Sequence, residues 1–81
     1  MYHVYISVSG EDRIARFAMN PETGALIPGE DIALSGRPAY AAMSPDNRIM
    51  YVARKGSLQV TSFEVDAKSG DLSEIGTVPI L

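Results

Sequence analysis

The sequence predicts an all-β fold built from a duplicated four-stranded antiparallel unit. Three observations carry this expectation. The chain falls on itself without a gap when shifted by 46 residues, so that Tyr5 lands on Tyr51. The segments between its turn residues are rich in Tyr, Val, Ile, Phe and Thr, the side chains that suit a pleated and largely covered surface. No segment reads as a helix.

The repeat comes first, because self-similarity at a fixed period decides the architecture. Tyr5-Ile6-Ser7 falls on Tyr51-Val52-Ala53, Gly10 on Gly56, Ile14 on Val60 and Phe17 on Phe63. Further along, Met19 falls on Val65, Asn20 on Asp66, Thr23-Gly24 on Ser69-Gly70 and Leu26 on Leu72. Apolar positions meet apolar positions and turns meet turns, as in a duplicated structural unit.

In chain order the residues predict strands at His3–Val8, Arg13–Met19, Ala25–Leu34, Pro38–Met43, Ile49–Arg54, Leu58–Val65 and Asp71–Pro79. Ser9-Gly10-Glu11-Asp12 and Lys55-Gly56-Ser57 read as short hairpin loops. Asn20–Gly24 and Asp66–Gly70 read as longer ones, whose closing glycine supplies a positive φ. Ser44-Pro45-Asp46-Asn47 has the Ser and Pro of a type I turn. Ile49–Ala53 is continuously apolar, which fits a strand covered on both faces. Pro38–Met43 is rich in small residues and suits a crowded innermost position.

A four-stranded repeat of this length is the size of a propeller blade. The fold class expected is therefore a β-propeller fragment of about one and three-quarter blades. Counting strands from the axis outward, residues 3–34 hold strands two to four of one blade and residues 38–79 a complete second blade. Propellers commonly close by letting the C-terminus supply part of the first blade, so a chain opening at strand two fits an N-terminal portion. Residues 5–35 and 51–81 are then one piece used twice.

Composition bounds the function. The 81 residues carry a net charge of −3, with seven scattered basic residues, where nucleic-acid binders show a basic face. No apolar run approaches the ~18 residues of a membrane helix. Residues 1–8 lack the positive start and long apolar core of a signal peptide and read as a strand. With no cysteine and one histidine, the chain offers no disulfide, thiolate site or His cluster, and no cofactor or metal is expected. Absence of cysteine is compatible with a reducing cytoplasm, the compartment expected here.

Several motifs now resemble the lactonase-type β-propeller family, typified by bacterial 6-phosphogluconolactonase. They are Tyr5-Ile6-Ser7 with Ile14 and Phe17, Pro21-Glu22-Thr23-Gly24-Ala25-Leu26, Gly36-Arg37-Pro38, Ser44-Pro45-Asp46-Asn47-Arg48, Met50–Ala53, and Phe63 with Asp66 and Ser69-Gly70-Asp71-Leu72. They run across essentially the whole chain. The resemblance implies a seven-bladed ring that hydrolyses a sugar lactone, a 6-phosphogluconolactone for example, with this chain carrying the N-terminal blades. It assigns no catalytic residue, because the family's proposed His, Arg and Glu groups lie mostly in later blades.

The loops joining strand four to strand one, and strand two to strand three, share one rim of a propeller. That rim receives Ser35-Gly36-Arg37, Ser9–Asp12 and Arg54–Ser57. Arg37, Arg54 and Lys55 could there meet an anionic group such as a sugar phosphate, Arg in bidentate fashion and Lys as a point charge. The alternative is that they are solvated surface charges. His3 has no partner spacing and reads better as a strand-face residue than as a base. Ser7, Ser9 and Ser44 lack the Gly-x-Ser-x-Gly context of a nucleophile. Asp66 and Asp71 do not fit an EF-hand, and capping of the turn explains Asp66. Glu11-Asp12 and Glu30-Asp31 read as exposed loop or edge charges, and the six aromatic residues as packing between blades. Lactone hydrolysis needs a base for water and donors for the oxyanion. An arginine could donate, but no base is identifiable.

Three readings stay open: a lactonase, a non-enzymatic binding propeller, or a chain that assembles through open blade faces. The expected partners are a sugar lactone and further blades, from the same chain or another copy.

Overall fold

The computed structural model describes residues 2–80; Met1 and Leu81 lie outside the description. Its strands are β1 (Tyr2–Val8), β2 (Arg13–Met19), β3 (Leu26–Pro28), β4 (Ile32–Ala33), β5 (Pro38–Met43), β6 (Ile49–Arg54), β7 (Gln59–Val65) and β8 (Leu72–Pro79). They form two antiparallel sheets. In the first, β2 pairs with β1 on one side and with β3 and β4 on the other; in the second the order is β5-β6-β7-β8.

The 46-residue repeat is written into the hydrogen-bond register. Tyr5 opposes Arg16 as Tyr51 opposes Ser62, and Ser7 opposes Ile14 as Ala53 opposes Val60. Met19 opposes Leu26 as Val65 opposes Leu72. The outer strand carries the same irregularity in both copies. Phe17 opposes Pro28 and Ile14 opposes Ile32, so three steps along β2 face four along its partner. In the second copy Phe63 opposes Glu74 while Ser62 opposes Gly76, which leaves Ile75 extra. These are β-bulges.

Three expectations are corrected here. The single strand expected over Ala25–Leu34 is interrupted into β3 and β4. The bulge falls at Gly29–Asp31, next to a proline that has no N–H to give, and only Gly29 N keeps a ladder-like bond, to Arg16 O at 2.8 Å. Leu58, expected to open β7, sits at φ 54° in the left-handed region, and the strand begins one residue later. Ser9–Glu11 is a single 3-10 turn in place of a plain hairpin loop, ended by Asp12 at φ 50°. Asp12 and Leu58 are repeat mates, so the loop shape is shared even where the side chain is not.

Cross-strand partners share a face, and the two sheets stack through unlike faces. The first sheet contributes the side of Ile14, Tyr5 and Ile32, and the second the side of Met50, Val52, Phe63 and Val65. Ile14, Met50, Val52 and Phe63 are buried, together with Leu34 on the connection between the sheets. The buried Thr61 hydroxyl is satisfied by Thr77 and Arg54. A sheet covered on its apolar side by the next is the arrangement of neighbouring propeller blades. No helix among the described residues is long and apolar enough to cross a membrane.

Candidate functional site

Two ends of the seam between the sheets carry polar groups, and they differ in kind. At the first, three loops are tied together by backbone donors, one of them on a carboxylate. Arg37 N donates to Asp12 Oδ1 at 3.0 Å, Lys55 N to Arg37 O at 3.1 Å, and Gly56 N to Gly36 O at 2.8 Å. Gly36 makes this approach possible: its φ is 83°, and a Cβ there would lie 2.5 Å from Ser57 Oγ. The three cations named from the sequence, Arg37, Arg54 and Lys55, thus meet on one rim.

Their roles within that rim differ. The Arg54 guanidinium is held by the chain itself, with Nε on Ser35 O at 2.8 Å, Nη2 on Ser35 Oγ at 3.0 Å and Nη1 on Thr61 Oγ1 at 3.3 Å. It is positioned and half-buried. Arg37 and Lys55 are exposed, and Arg37 takes φ 56° so that its side chain lies over Gly56. The ion pairs among the described residues belong to Arg13 and Arg16, so the side chains of the rim cations form none. Asp12, expected to be an ordinary edge charge, instead anchors the connection at Arg37. That role depends on a contact 25 residues away, which local reading does not reach.

At the other end, the loop between β7 and β8 docks on the first sheet. The Tyr5 hydroxyl donates to Gly70 O, Arg16 Nη2 donates to Ser69 O at 2.7 Å, and Arg16 Nη1 pairs with Asp71 Oδ1 at 2.7 Å. Gly70, at φ 75°, lies against the His3 ring, and His3 Nε2 is 3.3 Å from Ala67 O. Burial pushes the Tyr5 hydroxyl above the usual phenol pKa; the nearby Arg16 opposes this and the Asp71 carboxylate adds to it. The loop holds its own shape through Asp66, whose Oδ1 accepts from Lys68 N at 2.8 Å and Ser69 N at 3.0 Å. Those backbone donors, that of Ser69 first, hold the Asp66 carboxyl below the ordinary value. His3 is therefore a seam residue, and Asp66 caps its turn as the sequence suggested.

A cavity of about 640 Å3 opens at this second end between Tyr2, His3, Met43, Asp46 and Arg48. It does not coincide with the cationic rim. A smaller one of about 300 Å3 shares His3, Tyr5 and Met43 with it and runs on between β1 and β5. Both follow the edge of β1 that pairs with no other described strand. A row of free backbone N–H and C=O groups beside a trough suits another strand better than a small ligand. Asp46 is also committed: its Oδ1 accepts from Ser44 Oγ at 2.6 Å and Arg48 N at 3.1 Å, and Ser44 first, then Arg48, keeps its carboxyl low. It stays a carboxylate occupied by its own turn. The Ser44 hydroxyl beside it serves the same turn, accepting from Ile49 N at 3.1 Å, and among the described residues no three His, Cys, Asp or Glu side chains could hold a metal.

Comparison with known proteins bears on the whole chain. A family model described as Lactonase, 7-bladed beta-propeller, matches residues 2–80. No curated protein gives a match. Among solved structures, a Bacteroides uniformis protein provisionally assigned as a 6-phosphogluconolactonase superimposes with a TM-score of 0.86 at 25% identity, over 95% of this chain and 23% of its own. The periplasmic gluconolactonase of Pseudomonas aeruginosa gives 0.80 at 29% identity, over 88% of this chain and 20% of its own. A Bacteroides fragilis protein shares the fold at 21% identity, with a TM-score of 0.84. The chain spans about a fifth of the length of these proteins, which accords with two blades' worth of sheet. Matched from one end of its described residues to the other, the chain belongs to the lactonase family of seven-bladed β-propellers.

Proposed function

We propose that this chain is the N-terminal portion of a propeller that hydrolyses a sugar lactone, with 6-phosphogluconolactone as the type of substrate. In this reading residues 3–34 are strands two to four of the first blade and residues 38–79 a complete second blade. The trough along β1 is where the innermost strand of the first blade would lie. Two of the similar proteins support the substrate class, one a gluconolactonase and one provisionally assigned as a 6-phosphogluconolactonase. The observation that carries the reading is the cationic rim: Arg37, Arg54 and Lys55 share one set of loops, and their side chains form no ion pair among the described residues. Cationic side chains that form no ion pair of their own favour a phosphate-bearing or carboxylate-bearing ligand. The rim supplies binding, and the base for water comes from blades outside these residues.

The test compares the 81-residue chain with a longer protein containing it, following loss of 6-phosphogluconolactone and of gluconolactone against the spontaneous rate. The longer protein should accelerate the reaction and the short chain should not. In the longer protein, Arg37→Ala should raise KM for the phosphorylated lactone roughly tenfold, the effect of losing one charge-assisted bond. It should leave the unphosphorylated lactone unaffected. A longer protein that binds these lactones without hydrolysing them would make it a binding propeller instead.

A further inference from the structure

The stack leaves two sheet faces uncovered, and the repeat relates each of them to a face already in contact at the seam. Across the seam, one side of the first sheet meets the opposite side of the second. Their repeat mates are free. On the outer side of the second sheet, Tyr51 is 44% and Val78 60% exposed, with Tyr40 beside them. On the outer side of the first, Ile6 is 46% and Leu26 48% exposed, with Tyr2 at the same edge. The free side of the second sheet repeats the side that the first sheet offers the seam, Tyr51 standing where Tyr5 stands. The free side of the first sheet repeats the side that the second sheet offers, Ile6 standing where Val52 stands.

We propose that the 81-residue chain associates head to tail, the free side of one copy's second sheet receiving the free side of another copy's first sheet. The repeat supplies the docking geometry. Tyr5 reaches the carbonyl of Gly70, and Gly24, the repeat mate of Gly70, holds the same loop shape at φ 76° against 75°. Both loops close the same way, with Gly24 N on Asn20 O at 2.7 Å and Gly70 N on Asp66 O at 2.8 Å. The Tyr51 hydroxyl of one copy therefore donates to Gly24 O of the next. The ion pair is not reproduced, because Arg16 and Asp71 correspond to Ser62 and Ala25. The contact sets apolar side chains against each other, with Arg13 on the free side of the first sheet and Glu64 on that of the second. The dimer so formed keeps one free face of each type, one on each copy, so the contact is heterologous and continues beyond a dimer, into a ring or a filament.

The decisive experiment mixes two variants of the full chain and follows sedimentation velocity. Ile6→Glu disables one face and Tyr51→Glu the other. Both side chains are substantially exposed in the single chain, so both variants should keep the wild-type circular dichroism spectrum. The expected result is concentration-dependent growth for the wild type, monomer for each variant alone, and a one-to-one dimer on mixing, since one intact face of each type remains. Should either variant lose its fold, Leu26→Glu and Val78→Glu repeat the test on the same two faces. A wild type that stays monomeric at its solubility limit overturns the proposal. So do folded variants that still associate alone, or a mixture that yields no dimer.

Discussion

At the scale of the residue, the seam is set by a few polar contacts that reach far along the chain. Tyr5 and Gly70 are 65 positions apart, yet the hydroxyl of one satisfies the carbonyl of the other beneath a loop. Tyr5→Phe keeps the ring and removes only the donor. It should lower stability by about 0.5–1.5 kcal/mol, the net value of one such bond, read as a shift in urea midpoint at constant slope. Asp66 carries a different dependence. Its folded pKa is depressed, so its contribution is present above the unfolded value and is lost as pH falls through the lower folded one. The window therefore lies below about pH 4. Asp66→Asn keeps an oxygen for the same backbone donors but cannot titrate. Its stability should fall less steeply with acid than that of the wild type over that window. Parallel curves would show that Asp66 does not contribute to the acid sensitivity.

At the scale of the element, the inner strands were legible and the outer ones only in part. Pro38–Met43 and Ile49–Arg54 were readable to the residue, because proline and the polar turn at Ser44–Asn47 bound them sharply. The outer strand misled because Ala25–Leu34 reads as one β-prone run, and its bulge depends on pairing with β2, a long-range matter. The adjacent Pro28-Gly29 was the one signal that could have found the break. The cationic rim was legible as a set of loops sharing one end of the sheets. That Arg54 is spent on Ser35 and Thr61 was not, since those contacts depend on the packed chain. Leu58 offers a prediction at this scale. Its φ of 54° costs a branched apolar residue on the order of 1 kcal/mol, and at 56% exposure it loses little packing if changed. The other copy places Asp12 at this position. Leu58→Asn should therefore stabilise the chain by roughly 0.5–1 kcal/mol and raise its melting temperature. A lower melting temperature would mean that the Leu58 side chain is held by contacts that outweigh the backbone strain.

At the scale of the whole molecule, stability rests on a single seam. Repeat proteins draw much of their stability from the interfaces between units, and here one interface joins two sheets that each leave a face bare. Two isoleucines in adjacent strands of the same sheet separate the contributions. Ile14 is 1% exposed and lies in the seam, whereas Ile6 is 46% exposed on the free side. Ile14→Ala removes side-chain volume from a filled contact and should cost about 2–5 kcal/mol, a large fraction of what so small a domain possesses. Ile6→Ala deletes the same atoms from a surface that water already reaches, and should cost under about 1 kcal/mol. Both are measured by urea unfolding at low protein concentration, where association through the free faces is negligible. Stacking through the Ile14 face alone requires the unequal result. Equal losses would mean that both faces are covered in solution, and a larger loss at Ile6 would mean that the sheets stack through the other side.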